Sequence, residues 1–323
     1  MKSSSTLTLL IIATVVTLFG TPWLGMELFT AEPINPDVAQ HIFWQLRWPR
    51  VLFAFVAGAG LALCGMVFQA MFHNPLATPF TLGVASGASL GAAIYVYLGI
   101  GFSLLGIEGI SFAAFFGALI AISLVYGLSQ FRQGFTPATL LLTGVAISFF
   151  FSSLILLTQY LSNMNDAFRI LRWLMGGLSV VGYQGLFQLL PFVTLCAAVI
   201  LWLSRELNLL STGDDIALSR GVAVQRIRYL LFLVTSLCVG GIVALCGPIG
   251  FVGMMVPHIC RLLVGSDHRV LTPATLLFGG IFLVICDLIA RLIIAPAEIP
   301  VGVITTLLGG PFFLWLLIRS RTI

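Results

Sequence analysis

Charged residues are scarce in this chain of 323 residues: only 8% are Asp, Glu, Lys or Arg, while 59% are hydrophobic. The mean hydropathy is +1.12. A soluble domain carries about a quarter charged residues, because its surface faces water. Long apolar runs belong instead in lipid. The composition therefore excludes a soluble enzyme, a disordered protein and a nucleic-acid-binding protein.

Lysine is almost absent, since Lys2 is the single one. A phosphate-binding loop of the form G-x-x-x-x-G-K-[ST] needs a lysine after its glycines. The chain also lacks an H-E-x-x-H metal helix and an exposed G-x-S-x-G turn. We therefore expect no catalytic residues, no metal site and no cofactor on this chain. Six cysteines lie in apolar runs, where packing is the expected role of a free thiol; they are Cys64, Cys196, Cys238, Cys246, Cys260 and Cys286.

Long apolar runs are what the chain has in place of charge, and a membrane span needs about 20 such residues. Nine runs are clear, and a tenth is short and follows the helix-breaking pair Gly247–Pro248. With ten crossings, most Lys and Arg residues fall on the side of both termini, which the positive-inside rule makes cytoplasmic. Nine crossings would abolish that bias. The predicted spans are Leu7–Gly25, Val51–Phe72, Leu82–Ile100, Ile110–Ser129, Pro137–Tyr160, Leu186–Ser204, Arg228–Gly247, Ile249–Val264, Thr272–Ile294 and Pro300–Ile318.

The sequence thus predicts an all-α, multi-pass membrane protein with one transmembrane domain over residues 1–323. A short match at an offset of 182, Ala62–Gly65 with Ala244–Gly247, suggests two inverted halves formed by spans two to five and seven to ten. Pro75 and Pro257 match at the same offset. Glycines spaced by four in Leu82–Ile100 predict a closely packed helix.

Four ordered stretches carry a resemblance to a known family. They are Arg47–Arg50; His73–Ala77 with Leu82–Ala88; Gly213–Val222; and Gly247–Gly253 with Val256–His258 and Gly265–Arg269. Together they strongly resemble the FecCD-type permeases, the membrane subunits of importers for ferric siderophores, haem and cobalamin. The resemblance implies ten spans in inverted halves, in the bacterial cytoplasmic (inner) membrane.

The resemblance also implies partners. These are a second permease chain, identical or paralogous, two cytoplasmic ATPase subunits that bind ATP and Mg, and a periplasmic or lipid-anchored substrate-binding protein. The missing phosphate-loop lysine agrees with an ATPase on a separate chain.

Three groups of site residues are carried over from the family. The segment 209–222 would hold the coupling helix that contacts the ATPase, through Asp214, Asp215, Ala217, Arg220 and Gly221. The binding protein would dock on the external arginines Arg47, Arg50 and Arg291. The cytoplasmic gate would include Asn74, Leu76, Thr136, Pro137 and Ala138.

The residues alone leave simpler interpretations open. The three arginines also suit lipid headgroups, Gly213–Val222 also suits a solvated loop, and Asn74–Leu76 also suits a plain helix stop. The external segment 161–185 contains an amphipathic piece, Asp166–Met175, that suits the membrane surface. Asp287 precedes Arg291 by four positions, so the two side chains could pair.

Two other functional classes compete with the importer permease. An ion-coupled secondary transporter needs acidic or histidine residues within its spans, and Asp287, near a helix end, is the one candidate. An intramembrane enzyme needs a nucleophile with its base or a metal triad, and the sequence shows neither. We therefore predict a permease that works by ATP-driven alternating access, with a ferric siderophore as its substrate and haem or cobalamin as alternatives.

Overall fold

The computed structural model describes residues 2–24, 36–104, 106–131, 136–178 and 181–320. This part of the chain is almost wholly helical, apart from a small hairpin of β1 (Ser103–Leu104) and β2 (Ile107–Glu108). The predicted loop Met26–Trp48 and the segment 161–185 extend partly outside the described residues.

Ten apolar helices correspond one to one with the ten predicted spans. Among the described residues, seven are long and apolar enough to cross a membrane, and three apolar helices are shorter. The all-α, multi-pass fold is thereby confirmed. The ten are α1 (Lys2–Gly20), α3 (Trp48–Phe72), α4 (Val84–Tyr97), α5 (Gly109–Phe131), α6 (Pro137–Leu161), α8 (Gln184–Trp202), α11 (Val224–Cys246), α12 (Val252–Val264), α13 (His268–Leu292) and α14 (Val301–Ser320).

Four further helices lie between or before these. They are α2 (Pro36–Ile42), α7 (Met164–Leu174), α9 (Ser204–Leu210) and α10 (Asp214–Ser219). A π-helical turn, Phe43–Arg47, joins α2 to α3. Helix α7 matches the predicted amphipathic piece: the Asn163 side chain caps it by accepting from the Asp166 backbone N–H at 2.9 Å, and Ile170 is its one buried residue.

The centre of the bundle is the antiparallel pair α3 and α13, each 25 residues long. At a rise of 1.5 Å per residue, each is about 37 Å long, enough to cross a bilayer. Glycines allow their backbones to meet, because a Cβ added to Gly58 would collide with the Gly279 carbonyl oxygen. In the same way, Gly65 of α3 lies against the Gly253 backbone of α12. Small residues at such crossings are the usual basis of close helix packing in membranes.

Helix packing relates α3–α6 to α11–α14. Helix α3 packs on α12 and α13, and reciprocally α11 packs on α4 and α5. Four crossings, α4, α5, α6 and α8, lie between α3 and α11, so the two run in opposite directions. This reciprocal pattern agrees with two inverted halves.

The short sequence repeat, however, does not mark equivalent positions. Gly247 ends α11 with a positive φ of 67°, whereas Gly65 lies inside α3, which continues to Phe72. Pro257 is inside α12, whereas Pro75 follows the end of α3. The first match therefore lies within its helix, whereas the second ends its helix. Gly65 allows the close approach of α3 to α12, whereas Gly247 allows the positive φ that ends α11. The two matching glycines therefore have different structural roles.

The glycine-rich stretch predicted to pack closely does so. In α4, Gly87 lies against the Gly117 carbonyl and Gly91 against the Ala113 carbonyl, both of α5. Gly83 instead precedes the helix with a φ of 77°. The span therefore begins at Val84 rather than at Leu82.

Candidate functional sites at the two ends of the bundle

Functional residues gather at two opposite ends of the bundle, which α3 and α13 define. The Arg50 end contains the start of α3, the end of α13 and the segment before α14. The Asp214 end contains the end of α3, the start of α13 and helices α9 and α10. Contacts place them there: the His73 ring Nε2 is 2.6 Å from the Leu210 carbonyl oxygen, and the Asn208 amide donates to Asp267 at 2.7 Å.

At the Arg50 end, two arginines share one buried carboxylate. Arg50 donates to Asp287 Oδ1 from Nε at 3.0 Å and from Nη2 at 2.9 Å, while Arg291 Nε donates to Asp287 Oδ2 at 3.0 Å. The predicted pairing of Asp287 with Arg291 is thus confirmed. Arg50 Nη1 also donates to Glu298, at 2.9 and 3.1 Å to its two oxygens. We call Arg50, Asp287, Arg291 and Glu298 the charge network.

Burial within the charge network is uneven. The Asp287 side chain is 1% exposed, and those of Arg291 and Arg50 are 10% and 15% exposed, whereas Glu298 is 50% exposed. Two positive and two negative groups cancel, so the charge network carries no net charge. Asp287 is engaged by two arginines and is not a free acid of the kind an ion relay requires.

The third arginine predicted to dock a partner lies apart from the charge network. Arg47 ends the π-helical turn, is half-buried, and donates from Nη1 to the Pro22 carbonyl at 3.3 Å. The structure therefore unites Arg50 and Arg291 but not Arg47. A docking partner would meet Arg50 through Glu298, the most exposed member of the charge network.

An open cavity of about 570 Å³ lies beside the charge network. The charged residues that line it are Arg50, Glu108, Arg169, Arg172 and Glu298. The Arg169 side chain is 64% exposed and contacts Asp166 Oδ1 at 3.3 Å. Arg172 is exposed, and within the described part of the chain no hydrogen bond or ion pair holds its guanidinium. The charge best presented to a partner at this end is therefore on α7.

At the Asp214 end, the segment 209–222, which was predicted to hold a coupling helix, contains the short helix α10. Asp214 and Asp215 occupy its first turn, where negative charge suits the helix dipole. Gly221 follows with a φ of 81°, and the Val222 N–H donates to the Ala217 carbonyl at 3.0 Å, a common helix ending. The prediction of an Asp-led start and a Gly stop is confirmed in its geometry.

The two aspartates of α10 face different surroundings. Both oxygens of Asp214 accept from Nη2 of Arg228, at 2.7 and 2.8 Å, and the Arg228 side chain is only 1% exposed. Asp214 therefore anchors α10 to α11. Asp215 is exposed.

The outer surface of α10 is partly apolar. Ala217 is fully buried, while Ile216 and Leu218 are 50% and 58% exposed. Arg220 and Gly221 are exposed beside them. A solvated loop has no need of two large apolar side chains at its tip, so this surface has the character of a protein contact.

Helix α9 packs against both α10 and α13 at the Asp214 end. The Asn208 side chain donates to Asp267 Oδ1 at 2.7 Å, and the Arg269 backbone N–H donates to the same oxygen at 3.0 Å. The hydrogen bond from Asn208, followed by that from Arg269, lowers the pKa of Asp267 from its usual value. The cap of α13 thus stays ionised at neutral pH.

The predicted gate residues lie in two locally ordered turns. The Asn74 side chain accepts from the Leu76 backbone N–H at 2.9 Å, and Leu76 is 38% exposed. Thr136 caps α6 by accepting from the Thr139 N–H at 3.3 Å, and Pro137 and Ala138 form the first turn. Among the described residues, the hydrogen bonds of each stretch stay within that stretch or its own helix.

Sequence reasoning missed Arg228 and Arg172 as site residues. Arg228 opens a predicted span, and its spacing from Asp214 follows no regular pattern. Arg172 lies on an amphipathic helix, and that position was the signal available in the sequence.

Comparison with known proteins agrees with these features. The model of the FecCD transport family matches residues 6–319. The cobalamin import system permease protein of Halobacterium salinarum is 41% identical over 94% of this chain and 81% of the relative. The hemin transport system permease protein of Yersinia pestis is 37% identical over 88% of this chain and 85% of the relative.

A solved structure has the same fold over almost its full length. It is described as an inward-facing conformation of a metal-chelate type ABC transporter. The TM-score is 0.87 at 34% identity, and the match covers 98% of this chain and 99% of that one.

Proposed function

Because the chain belongs to the FecCD transport family and is a multi-pass permease subunit of an ABC importer, we propose that its substrate is an intact metal chelate. The observation that carries this proposal is the match, over 98% of the chain, to a transporter described as metal-chelate type. Cobalamin and hemin, the substrates named for two relatives, are large metal-containing rings.

Among chelates, cobalamin is the first compound to test, because a relative named for it is 41% identical. The ferric siderophore expected from the motifs remains a prediction for the same assay. A bulky, preformed chelate requires a wide path with few fixed charges. The exposed face of α6 suits such a path, since Leu142, Phe149 and Leu156 are more than 60% exposed.

The proposed complex contains a second permease chain, two ATPase subunits with ATP and Mg, and an external binding protein in the bacterial cytoplasmic membrane. The Asp214 end would face the cytoplasm. There α10 would sit in a cleft of the ATPase, with Ile216, Leu218 and Asp215 making the contact. Asp214 would pass the movement of α10 to α11 through Arg228.

The binding protein would dock on the Arg50 end. Its acidic side chains would meet Arg172 and Arg169 directly. They would meet Arg50 after displacing Glu298, which is half-exposed and is held by its ion pair with Arg50. Electrostatic pairs of this kind steer association and weaken with salt.

Transport would proceed by alternating access. ATP would draw the ATPase subunits together and move the α10 helix of each permease chain. The turns at Asn74–Leu76 and Thr136–Ala138 would then open or close the cytoplasmic side of the path. Both turns are held by local hydrogen bonds and can move as units.

Uptake in a strain that lacks this permease tests the proposal. The strain, complemented with the chain, would receive radiolabelled cobalamin, haem or a ferric siderophore in parallel. We expect accumulation of one chelate, which stops when the catalytic glutamate of the partner ATPase is replaced. Accumulation that persists without a working ATPase would indicate a secondary transporter. No accumulation of any of the three would overturn the chelate proposal.

A further inference from the structure

A groove of about 410 Å³ runs along the bundle between α4 and α6. Its lining extends from Phe80, which follows the turn at Asn74–Leu76, to Gln159 near the end of α6. Leu174, at the end of α7, also lines it at the Arg50 end. Leu156 belongs both to the groove and to the exposed face of α6 that suits the substrate path. The groove therefore follows that face and extends along the proposed direction of transport.

The polar side chains of the groove form two rows. Helix α4 supplies Ser86 and Ser89, and α6 supplies Ser148, Ser152 and Gln159. Spacings of three, four and seven positions keep each row on one face of its helix. At 1.5 Å per residue, the row on α6 is about 16 Å long. We call these five residues the polar row residues.

The polar row residues differ in their hydrogen bonds. Ser86 and Ser148 each donate to a backbone carbonyl three or four positions earlier, at 2.9 and 2.8 Å. In the part of the chain that the structure describes, no hydrogen bond holds the side chains of Ser89, Ser152 or Gln159. Ser89 is only 4% exposed, and buried hydroxyls are nearly always hydrogen-bonded. A partner for its hydroxyl is therefore expected from whatever fills the groove.

The lining of the groove does not suit lipid and does suit an uncharged polar ligand. Polar side chains within membrane spans usually face a bundle interior or a water-filled cavity, because acyl chains offer them no hydrogen bond. None of the described residues that line the groove is charged. A carboxylate would enter without a compensating cation, which is costly in apolar surroundings. The groove therefore suits a ligand whose rim is polar but carries no free carboxylate.

Resting on the function proposed above, we propose that Ser89, Ser152 and Gln159 form a subsite of the substrate path that selects chelates with uncharged amide or hydroxyl groups at the rim. Serine hydroxyls and the glutamine amide both donate and accept, so each can pair with an amide. Gln159 lies towards the Arg50 end and Ser89 towards the Asp214 end, so an incoming chelate would meet them in turn.

This subsite distinguishes the candidate substrates. Cobalamin has amides around its ring, whereas haem carries two free carboxylates. A site built to hydrogen-bond particular groups discriminates strongly against a ligand that lacks them. The groove therefore favours cobalamin over haem.

Chemical labelling tests the groove without requiring transport. Ser152→Cys, in membranes that contain the complete complex, should react with a charged, water-soluble maleimide, since the native cysteines are buried. The matched control Ser123→Cys, which is exposed on α5 and does not line the groove, should stay unlabelled. Both are tested with and without ATP, because the path would open on one side at a time. Equal labelling of the two positions, or none at Ser152 in either state, would overturn the subsite. Labelling of Ser152→Cys only in the isolated chain would overturn it too, and would assign the groove to contact with the second permease.

Uptake in the complemented strain tests selection. Ser152→Ala and Gln159→Leu should each lower cobalamin uptake at limiting concentration by about two- to tenfold, as expected for the loss of a hydrogen bond between neutral groups. Ser123→Ala should transport as the wild type does. Ser152→Lys should shift the preference towards haem, because its ammonium group gives the carboxylates a partner.

The outcomes separate the subsite from the proposed function. Immunoblots of the membranes show that each variant is present, and Ser89→Ala provides the same comparison should Ser152→Ala be lost. Unchanged cobalamin uptake in the groove variants, or a wild type that prefers haem, would overturn the subsite and leave the chelate proposal intact. A wild type that takes up none of the chelates would overturn the proposed function, and with it the role of the groove in selection.

Discussion

The two ends of the bundle hold their charges in different ways. At the Arg50 end, hydrogen bonds join residues that are 237 and 248 positions apart, so the charge network braces α3, α13 and the segment before α14. At the Asp214 end, one ion pair joins residues only 14 positions apart and fastens a short helix to one long helix. In the proposed mechanism, the first arrangement would resist movement between the halves, and the second would pass movement to a single helix.

This difference suggests how the ends communicate. Helix α11 begins beside α10 and ends at Cys246, whose carbonyl accepts from the Gly177 N–H at 2.7 Å. Leu245 and Cys246 line the cavity next to Arg172. In the proposed mechanism, a displacement of α10 would reach this cavity through α11.

The largest effect on stability is expected from a substitution in the charge network. Asp287→Asn leaves Arg50 and Arg291, both mostly buried, without their shared anion. Removing one partner of a buried ion pair costs about 3–5 kcal/mol, because the remaining charge is uncompensated. We expect a lower unfolding temperature of the chain in detergent.

Glu298→Gln is the matched control for that variant. Glu298 is 50% exposed, and its hydrogen bonds within the described part of the chain go to Arg50, so its loss should lower the unfolding temperature much less. Equal effects of the two substitutions would contradict the idea that the buried carboxylate carries the brace.

A smaller loss of stability, but a clear loss of coupling, is expected at the other end. Arg228→Gln removes the charged partner of Asp214, and hydrogen bonds to charged groups contribute about 1.5–3 kcal/mol. Since Asp214 is partly exposed, the cost should fall at the lower end. The ratio of chelate transported to ATP hydrolysed, measured in proteoliposomes with the complete complex, should drop.

Charge exchange sharpens this second prediction. Asp214→Arg combined with Arg228→Asp restores an ion pair in which the two charges have exchanged positions, and it should recover part of the coupling ratio. Asp215→Asn, an exposed neighbour with the same charge, should leave α10 attached to α11. A coupling ratio that depends on Asp215 but not on Asp214 or Arg228 would refute the idea that the Asp214–Arg228 pair passes movement from α10 to α11.

The outer surface of α10 gives the third prediction. Ile216→Ser and Leu218→Ser remove apolar contact from the surface proposed to meet the ATPase. Interface residues that matter cost more than 1 kcal/mol when truncated, so each variant should weaken ATPase binding about tenfold. Affinity of the purified subunits in detergent measures this. Ser219→Ala, on the same helix, should bind as the wild type does.

The spans were predictable because each is a long apolar run, and the reversal of direction between Val51–Phe72 and Arg228–Gly247 followed from counting them. Helix α10 was predictable because Asp214, Asp215 and Gly221 are local signals for its start and stop. The partners of Arg50 and Asp214 were not. The pair of Arg50 and Asp287 joins residues 237 positions apart in sequence. The pair of Asp214 and Arg228 depends on the orientation of α11 about its axis, which buries Arg228 instead of exposing it.

The smallest effect is expected on the docking surface, where charges are exposed. Arg172→Glu reverses the charge that α7 presents beside the cavity. Exposed pairs contribute about 0.2–1 kcal/mol, so affinity for the binding protein should fall only several-fold, and the difference should shrink at high salt. Arg226→Glu makes the same change of charge at the Asp214 end and should leave this affinity unaltered, which controls for net charge. If Arg172→Glu binds as the wild type does while Arg50→Glu does not, docking depends on opening the charge network. The Arg50 end would then be a latch released by its partner and not a fixed brace.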